Sequence, residues 1–181
     1  MIKAIIKLKR LINGEIPISI LVKRGLKVGK NFSRQSGCYI DPSHCFLISI
    51  GDNVTFSINV TLLAHDASMK YVLDYARIGR IVIGNNCFIG ANTTILPGVT
   101  IGDNCIIGAG SIVTKSVEEN SVYAGVPAKK ICSIDEFSKK QKMLLENTTC
   151  FDSSYKYSKN ITKDKVLEMQ EKCSLKDCYI K

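Results

Sequence analysis

Residues 81–115, IVIGNNCFIGANTTILPGVTIGDNCIIGAGSIVTK, decide the fold because they repeat with a step of six. Ile83, Ile89, Ile95, Ile101, Ile107 and Val113 fall on that step, and Gly84, Gly90, Gly102 and Gly108 follow four of them. The fifth residue of each hexad is small: Cys87, Thr93, Val99, Cys105, Ser111 and Val117. The first five of these each lie two residues before the next aliphatic, so the pair shares one face of a short strand. Ile50, Phe56 and Leu62 keep the same step earlier in the chain. A period of six is neither helical nor the alternation of a hairpin; it describes a flat strand, a corner and another flat strand, as in a hexapeptide β-helix. Three hexads close one triangular coil of about 18 residues, and backbone hydrogen bonds then run between coils about 4.8 Å apart. Cys87 and Cys105 fall in one inward column and read as small core thiols rather than a redox pair, because apolar surroundings suppress the thiolate.

Working outward, residues 67–80, ASMKYVLDYARIGR, carry no hexad and must leave the coil as a loop, which in a regular solenoid is usually functional. Before Ile50 the repeat weakens. Val28-Gly29 and Ile40-Asp41 look like hexad starts, but the residues between them lose the step, which predicts one irregular early coil. Ile2, Ile5, Ile6, Leu11 and Ile12, interleaved with lysines, predict a basic amphipathic helix within an N-terminal cap, residues 1–25. Packing on the open coil end or on a neighbouring subunit is the favoured role, and peripheral contact with a membrane is the alternative. The β-helix is assigned to residues 26–132 and a helical tail to 133–181. In the tail, Ser133-Ile-Asp-Glu136 has capping-box spacing and opens a helix to about residue 147, with a second helix over residues 163–172.

The chain has 181 residues, enough for one domain burying roughly 70% of its unfolded surface. With 45% hydrophobic and 23% charged residues, wholesale disorder and collagen-like structure are excluded. The net charge of +9 fits anionic partners, whether nucleic acid, phosphorylated cofactors or a membrane surface, without choosing among them. No apolar run reaches the roughly 20 residues of a membrane span, and lysines interrupt the N-terminal stretch where a secretory signal would lie. A cytoplasmic protein with eight reduced, mostly buried cysteines is expected.

Histidine is the natural general base near neutral pH, and there are two, His44 and His65. His65 in VTLLAHDAS stands three residues after inward Leu62, at the corner where the loop leaves the coil, so it is the candidate base; Asp66 beside it need not face it. His44 in DPSHC lies in the irregular coil and is a second candidate, either touching substrate or hydrogen-bonding structurally. Ala91 and Ala109, each after a turn glycine, stack at one corner and leave main-chain groups open along a shallow groove. Lys115, Lys129 and Lys130 lie beyond it and could meet phosphates.

Taken together, the hexads, AHD before a loop, ILPGVTIGDNCIIGAGSIVTK and AGVPAKK resemble the hexapeptide-repeat acyltransferases over residues 26–132. Within them the chain is most similar to the branch of maltose and galactoside acetyltransferases and the O-acetyltransferases of surface-polysaccharide synthesis. The resemblance implies a left-handed parallel β-helix, a homotrimer with active sites between subunits, and acetyl-CoA as donor with no required metal. It implies His65 as catalytic base and Ala91, Ala109, Thr114, Lys115 and Lys129 as coenzyme contacts. Cys132 stands where some relatives carry a basic residue. The early coil differs from that of the sugar acetyltransferases, so a saccharide hydroxyl is expected as acceptor without further identity. No nucleic-acid partner is expected. Two other classes use the same fold: a noncatalytic scaffold or glycan-binding solenoid, and a zinc-dependent carbonic anhydrase. The latter needs three histidines per metal, and two histidines 21 residues apart fit it poorly.

Overall fold

The computed structural model describes residues 15–181, which form two compact units, one ending at Ile134 and the other spanning Asp135–Lys181. In the first unit, short parallel strands stack into three faces. One contains Lys27–Val28, Ile48–Ile50, Ile81–Ile83 and Thr100–Ile101. The second contains Ser33–Arg34, Thr55–Phe56, Phe88–Ile89, Ile106–Ile107 and Ser121–Ala124, closed by antiparallel Lys129–Ser133. The third contains Tyr39–Ile40, Thr61–Leu62, Thr94–Ile95 and Ile112–Val113. This is a parallel β-helix of the kind that the repeat predicts, with the left hand that the resemblance implies.

Both small and aliphatic positions of the repeat point inward. Ile89, Ile95, Ile101 and Ile107 are fully buried, as are Thr93, Cys105 and Ser111 between them. The buried hydroxyls are satisfied: Ser111 Oγ donates to the Gly108 carbonyl at 2.6 Å and Thr93 Oγ1 to the same oxygen at 3.3 Å. An unpaired buried hydroxyl would cost about 1–3 kcal/mol. Cys87 Sγ similarly donates to Gly102 O at 3.2 Å, and a hydrogen bond shared with Cys105, together with burial, pushes the Cys87 thiol pKa up. The expectation of mostly buried cysteines holds for Cys38, Cys45, Cys87 and Cys105 and fails outside the coils, where Cys150 and Cys173 are exposed.

One device of the fold is not evident from the hexads alone. Asn31, Asn53, Asn86, Asn104 and Asn120 occupy the left-handed region, with φ between 54° and 56°, at one corner of successive coils. Asparagine tolerates this conformation better than other residues with a Cβ. Each side-chain amide donates to the next oxygen at 2.9–3.0 Å, forming a continuous ladder. Its rungs measure the coils. Asn86 to Asn104 is the regular 18 residues, Asn53 to Asn86 is 33, and Asn31 to Asn53 is 22. The longest coil carries the extruded loop and the other is the irregular early coil, so both insertions leave the stacking register intact.

The early insertion contains a one-turn 3-10 helix, Cys45–Leu47, and the coil end is preceded by a helix, Ile18–Lys23, with Leu21 buried. The amphipathic segment expected around residues 2–12 lies outside the described residues. The second unit holds helices Ile134–Glu146 and Lys163–Lys172 and a parallel pair, Cys150–Phe151 with Tyr179–Ile180. Thr162 caps the second helix by accepting from Lys165 N, and Glu168 joins Tyr155 and Lys172 at 2.6 Å each. Among the described residues no helix is long and apolar enough to cross a membrane.

Candidate active site

The loop leaves through a short antiparallel pair, His65–Asp66 with Arg77–Ile78, so its base is built into the corner that follows Leu62. Arg77 Nη2 donates to Pro97 O on the next coil at 3.0 Å, and Gly79 N to Ala64 O at 3.0 Å. One side-chain and one backbone hydrogen bond thus brace the root of the loop at His65, although the loop tip, with Tyr71 and Tyr75, is open to solvent.

The partner of His65 comes from the coil below. Ile40 pairs with Leu62, and Asp41 N donates to Leu62 O, which brings the Asp41 side chain beside the corner. His65 Nδ1 lies 2.5 Å from Asp41 Oδ2. The Asp41 side chain is fully buried, whereas that of His65 is 33% exposed. The other carboxylate oxygen accepts from Ser43 N at 3.0 Å and His44 N at 3.3 Å. Burial opposes the Asp41 charge, but the hydrogen bond from His65 and those from the two backbone amides outweigh it and hold the carboxyl pKa below its usual value. An ionised carboxylate can only accept, so Nδ1 carries the proton, and in the neutral ring Nε2 keeps its lone pair. The sequence neighbour Asp66 does not orient the histidine: its carboxylate accepts from Ser68 N within the loop.

His44 joins the same cluster, its ring centroid 4.9 Å from that of His65 and its Nδ1 3.7 Å from Asp41 Oδ2. Asp41, His44 and His65 thereby offer three metal-ligating atoms within 4.8 Å of one another. Two ligands of a tetrahedral zinc at about 2.0–2.1 Å would stand roughly 3.3 Å apart. The 2.5 Å between His65 Nδ1 and Asp41 Oδ2 is instead the spacing of a hydrogen bond.

The remaining sequence candidates divide between two edges of the prism. Thr114 and Lys115 follow Val113, which shares the third face with Leu62, so they fall on the His65 edge, displaced along the coil axis. Ala91 and Ala109 follow Ile89 and Ile107 on the second face and mark another edge, where Gly110 N donates to Ala91 O. Lys129 pairs with Ala124 at the end of that face and is exposed, as are Ala109 and Lys115. A Cβ on Gly90 would lie 2.5 Å from Ala109 N, so this edge requires glycine to keep its close backbone stacking. Lys130 is engaged in a 3.1 Å ion pair with Glu118.

Comparison with known proteins places this architecture. The family described as bacterial transferase hexapeptide (six repeats) matches residues 80–115. Protein CapG of Staphylococcus aureus is 50% identical over 58% of this chain and 62% of its own length. The putative acetyltransferase YvoF of Bacillus subtilis is 38% identical over 67% of this chain and 68% of its own. A solved galactoside acetyltransferase in complex with coenzyme A superposes with a TM-score of 0.51 at 38% identity, covering 64% of this chain and 58% of that one. The chain belongs to the hexapeptide-repeat transferase family. It spans about three-fifths of the length of CapG and of the galactoside enzyme.

Proposed function

We propose that this protein is an acetyl-CoA-dependent O-acetyltransferase acting on a saccharide hydroxyl, with His65 as general base. The observation that carries the reading is the buried Asp41 carboxylate holding His65 Nδ1 at the root of the extruded loop, on the fold of the coenzyme-A-bound galactoside acetyltransferase. His65 Nε2 takes the proton of the acceptor hydroxyl as that oxygen bonds to the acetyl carbonyl. The carbon–sulfur bond breaks, the imidazolium returns its proton to the leaving thiolate, and no acyl-enzyme forms. Asp41 keeps the imidazole in the required tautomer and stabilises its transient positive charge. Ala91 and Ala109 offer an edge of small side chains to the extended coenzyme, with Thr114, Lys115 and Lys129 as further contacts and the lysines placed for its phosphates. The buried acid aimed at a one-third-exposed imidazole favours catalysis over a scaffold role.

The working form in this reading is a homotrimer in the cytoplasm, serving polysaccharide biosynthesis, with the N-terminal basic segment available for peripheral membrane contact. Support for assembly comes from the two edges. One chain keeps His65 and the Ala91–Ala109 corner one face apart, and a neighbouring copy would bring the two kinds of edge together. The flat second face also leaves Phe88 exposed. Light scattering in EDTA should give three chains' mass, and calorimetry in the same buffer should give one acetyl-CoA bound per chain. A stable active monomer would remove the shared site, and binding that required added zinc would remove the metal-free reading.

A further inference from the structure

We propose that Phe46 and His44 form the acceptor platform of this site, with the C–H face of a sugar ring stacked on Phe46 so that one hydroxyl meets His65; this rests on the acetyltransferase reading above. A single exposed aromatic is ordinary on a protein surface. Phe46 is set apart by where it stands and how firmly it is held. It lies in the insertion that lengthens the early coil, immediately after the Asp41–His44 turn that builds the base. Its ring centroid is 5.9 Å from that of His44, which in turn is 4.9 Å from that of His65, so the three rings adjoin one another beside the buried carboxylate.

The segment is anchored from beneath. Cys45 is fully buried, and its thiol points to the carbonyls of Leu21 and Arg24 at 3.6 and 3.8 Å. Gly25, at φ +104°, approaches so closely that a Cβ there would lie 2.8 Å from Phe46 Cβ. Leu47 N closes the turn on His44 O at 2.9 Å. A backbone fixed in this way nevertheless turns Phe46 outward with 56% of its surface exposed. Folding alone would be served as well by a polar side chain at that position.

The chemistry of the cluster selects the ligand. An aromatic face carries negative quadrupole density and attracts the polarised C–H groups of a pyranose, while the adjoining one-third-exposed His65 offers a polar partner to its hydroxyls. A ring with one apolar face and a rim of hydroxyls matches this surface. A linear aliphatic alcohol offers no face to stack.

The test is steady-state thiol release from acetyl-CoA with a panel of methyl pyranosides and linear alcohols, comparing the parent with Phe46→Ala, Phe46→Leu, Phe46→Trp and His44→Ala. Phe46→Ala and Phe46→Leu should raise the pyranoside KM about tenfold or more, with kcat, acetyl-CoA KM and oligomeric mass within about twofold of the parent. Phe46→Trp should stay near the parent, and His44→Ala should raise the same KM. If pyranoside-dependent release persists and depends on His65 while Phe46→Ala and Phe46→Leu leave KM unchanged, the platform is overturned and the acetyltransferase reading stands. Loss of the assembly in Phe46→Ala would mean that a second copy covers the ring, which also overturns it. Absence of pyranoside-dependent release by the parent overturns both.

Discussion

Replacing His65 with Ala should lower kcat by roughly 10²–10⁴-fold, the usual contribution of a positioned general base, and leave acetyl-CoA affinity near the parent value. The two effects separate because the imidazole serves the proton of the acceptor hydroxyl, whereas the proposed coenzyme contacts are Ala91, Ala109, Thr114, Lys115 and Lys129. Folding should survive, since the side chain is one-third exposed and contributes nothing to the inward columns of isoleucine. Removing it does leave the buried Asp41 carboxylate without its ring partner, so some loss of thermal stability should accompany the loss of rate. A folded His65→Ala variant that turns over at the parent rate would transfer the base assignment to His44, the other imidazole beside Asp41.

Asp41→Asn should be nearly as damaging, although the change is almost isosteric and lies away from solvent. The asparagine oxygen can still accept from Ser43 and His44 N–H. Its amide nitrogen then donates towards His65 Nδ1, which must be unprotonated, and the ring proton moves to Nε2. A protonated Nε2 cannot receive the acceptor's proton, so kcat should fall by roughly 10²–10⁴-fold with KM values little changed. The same substitution alters the response to acid. Because folding lowers the Asp41 pKa, its contribution to stability is complete above the unfolded carboxyl pKa, about 3.9, and is lost as pH falls through the folded value below that. The parent should therefore lose thermal stability below about pH 4 more steeply than Asp41→Asn, so that their transition temperatures converge as pH drops. Parallel pH profiles for the two proteins would show that Asp41 makes no special stabilising contribution as an anion.

The contrast between His65 and Asp41 shows what a sequence of this kind can and cannot reveal. The six-residue step is written into the chain because each coil must place an aliphatic and a small residue inward, and the buried columns follow it from Ile83 to Val113. His65 could be singled out because it sits where that step breaks. Asp41 could not be assigned, because pairing it with His65 requires the register of the early coil, and that coil is lengthened by a segment with no hexad of its own. Only the backbone pairing of Ile40 with Leu62 reveals the contact. The one local signal was an acid immediately following an inward isoleucine, where a hexad usually turns outward. The asparagine ladder was hidden for a related reason: its rungs look like ordinary polar corner residues until the coils are stacked. The grouping of the coenzyme candidates on separate edges likewise emerges only from the assignment of strands to faces.

The central claim is that this chain moves an acetyl group from acetyl-CoA to a sugar hydroxyl through the Asp41–His65 pair. It is tested most directly by incubating the purified protein with acetyl-CoA and a panel of saccharides, then measuring free thiol and the mass of the sugar together. The account predicts release of one thiol for each saccharide that becomes one acetyl group heavier, with both signals lost in His65→Ala. Stoichiometric coenzyme binding with no acetylated sugar and no saccharide-dependent thiol release would contradict it.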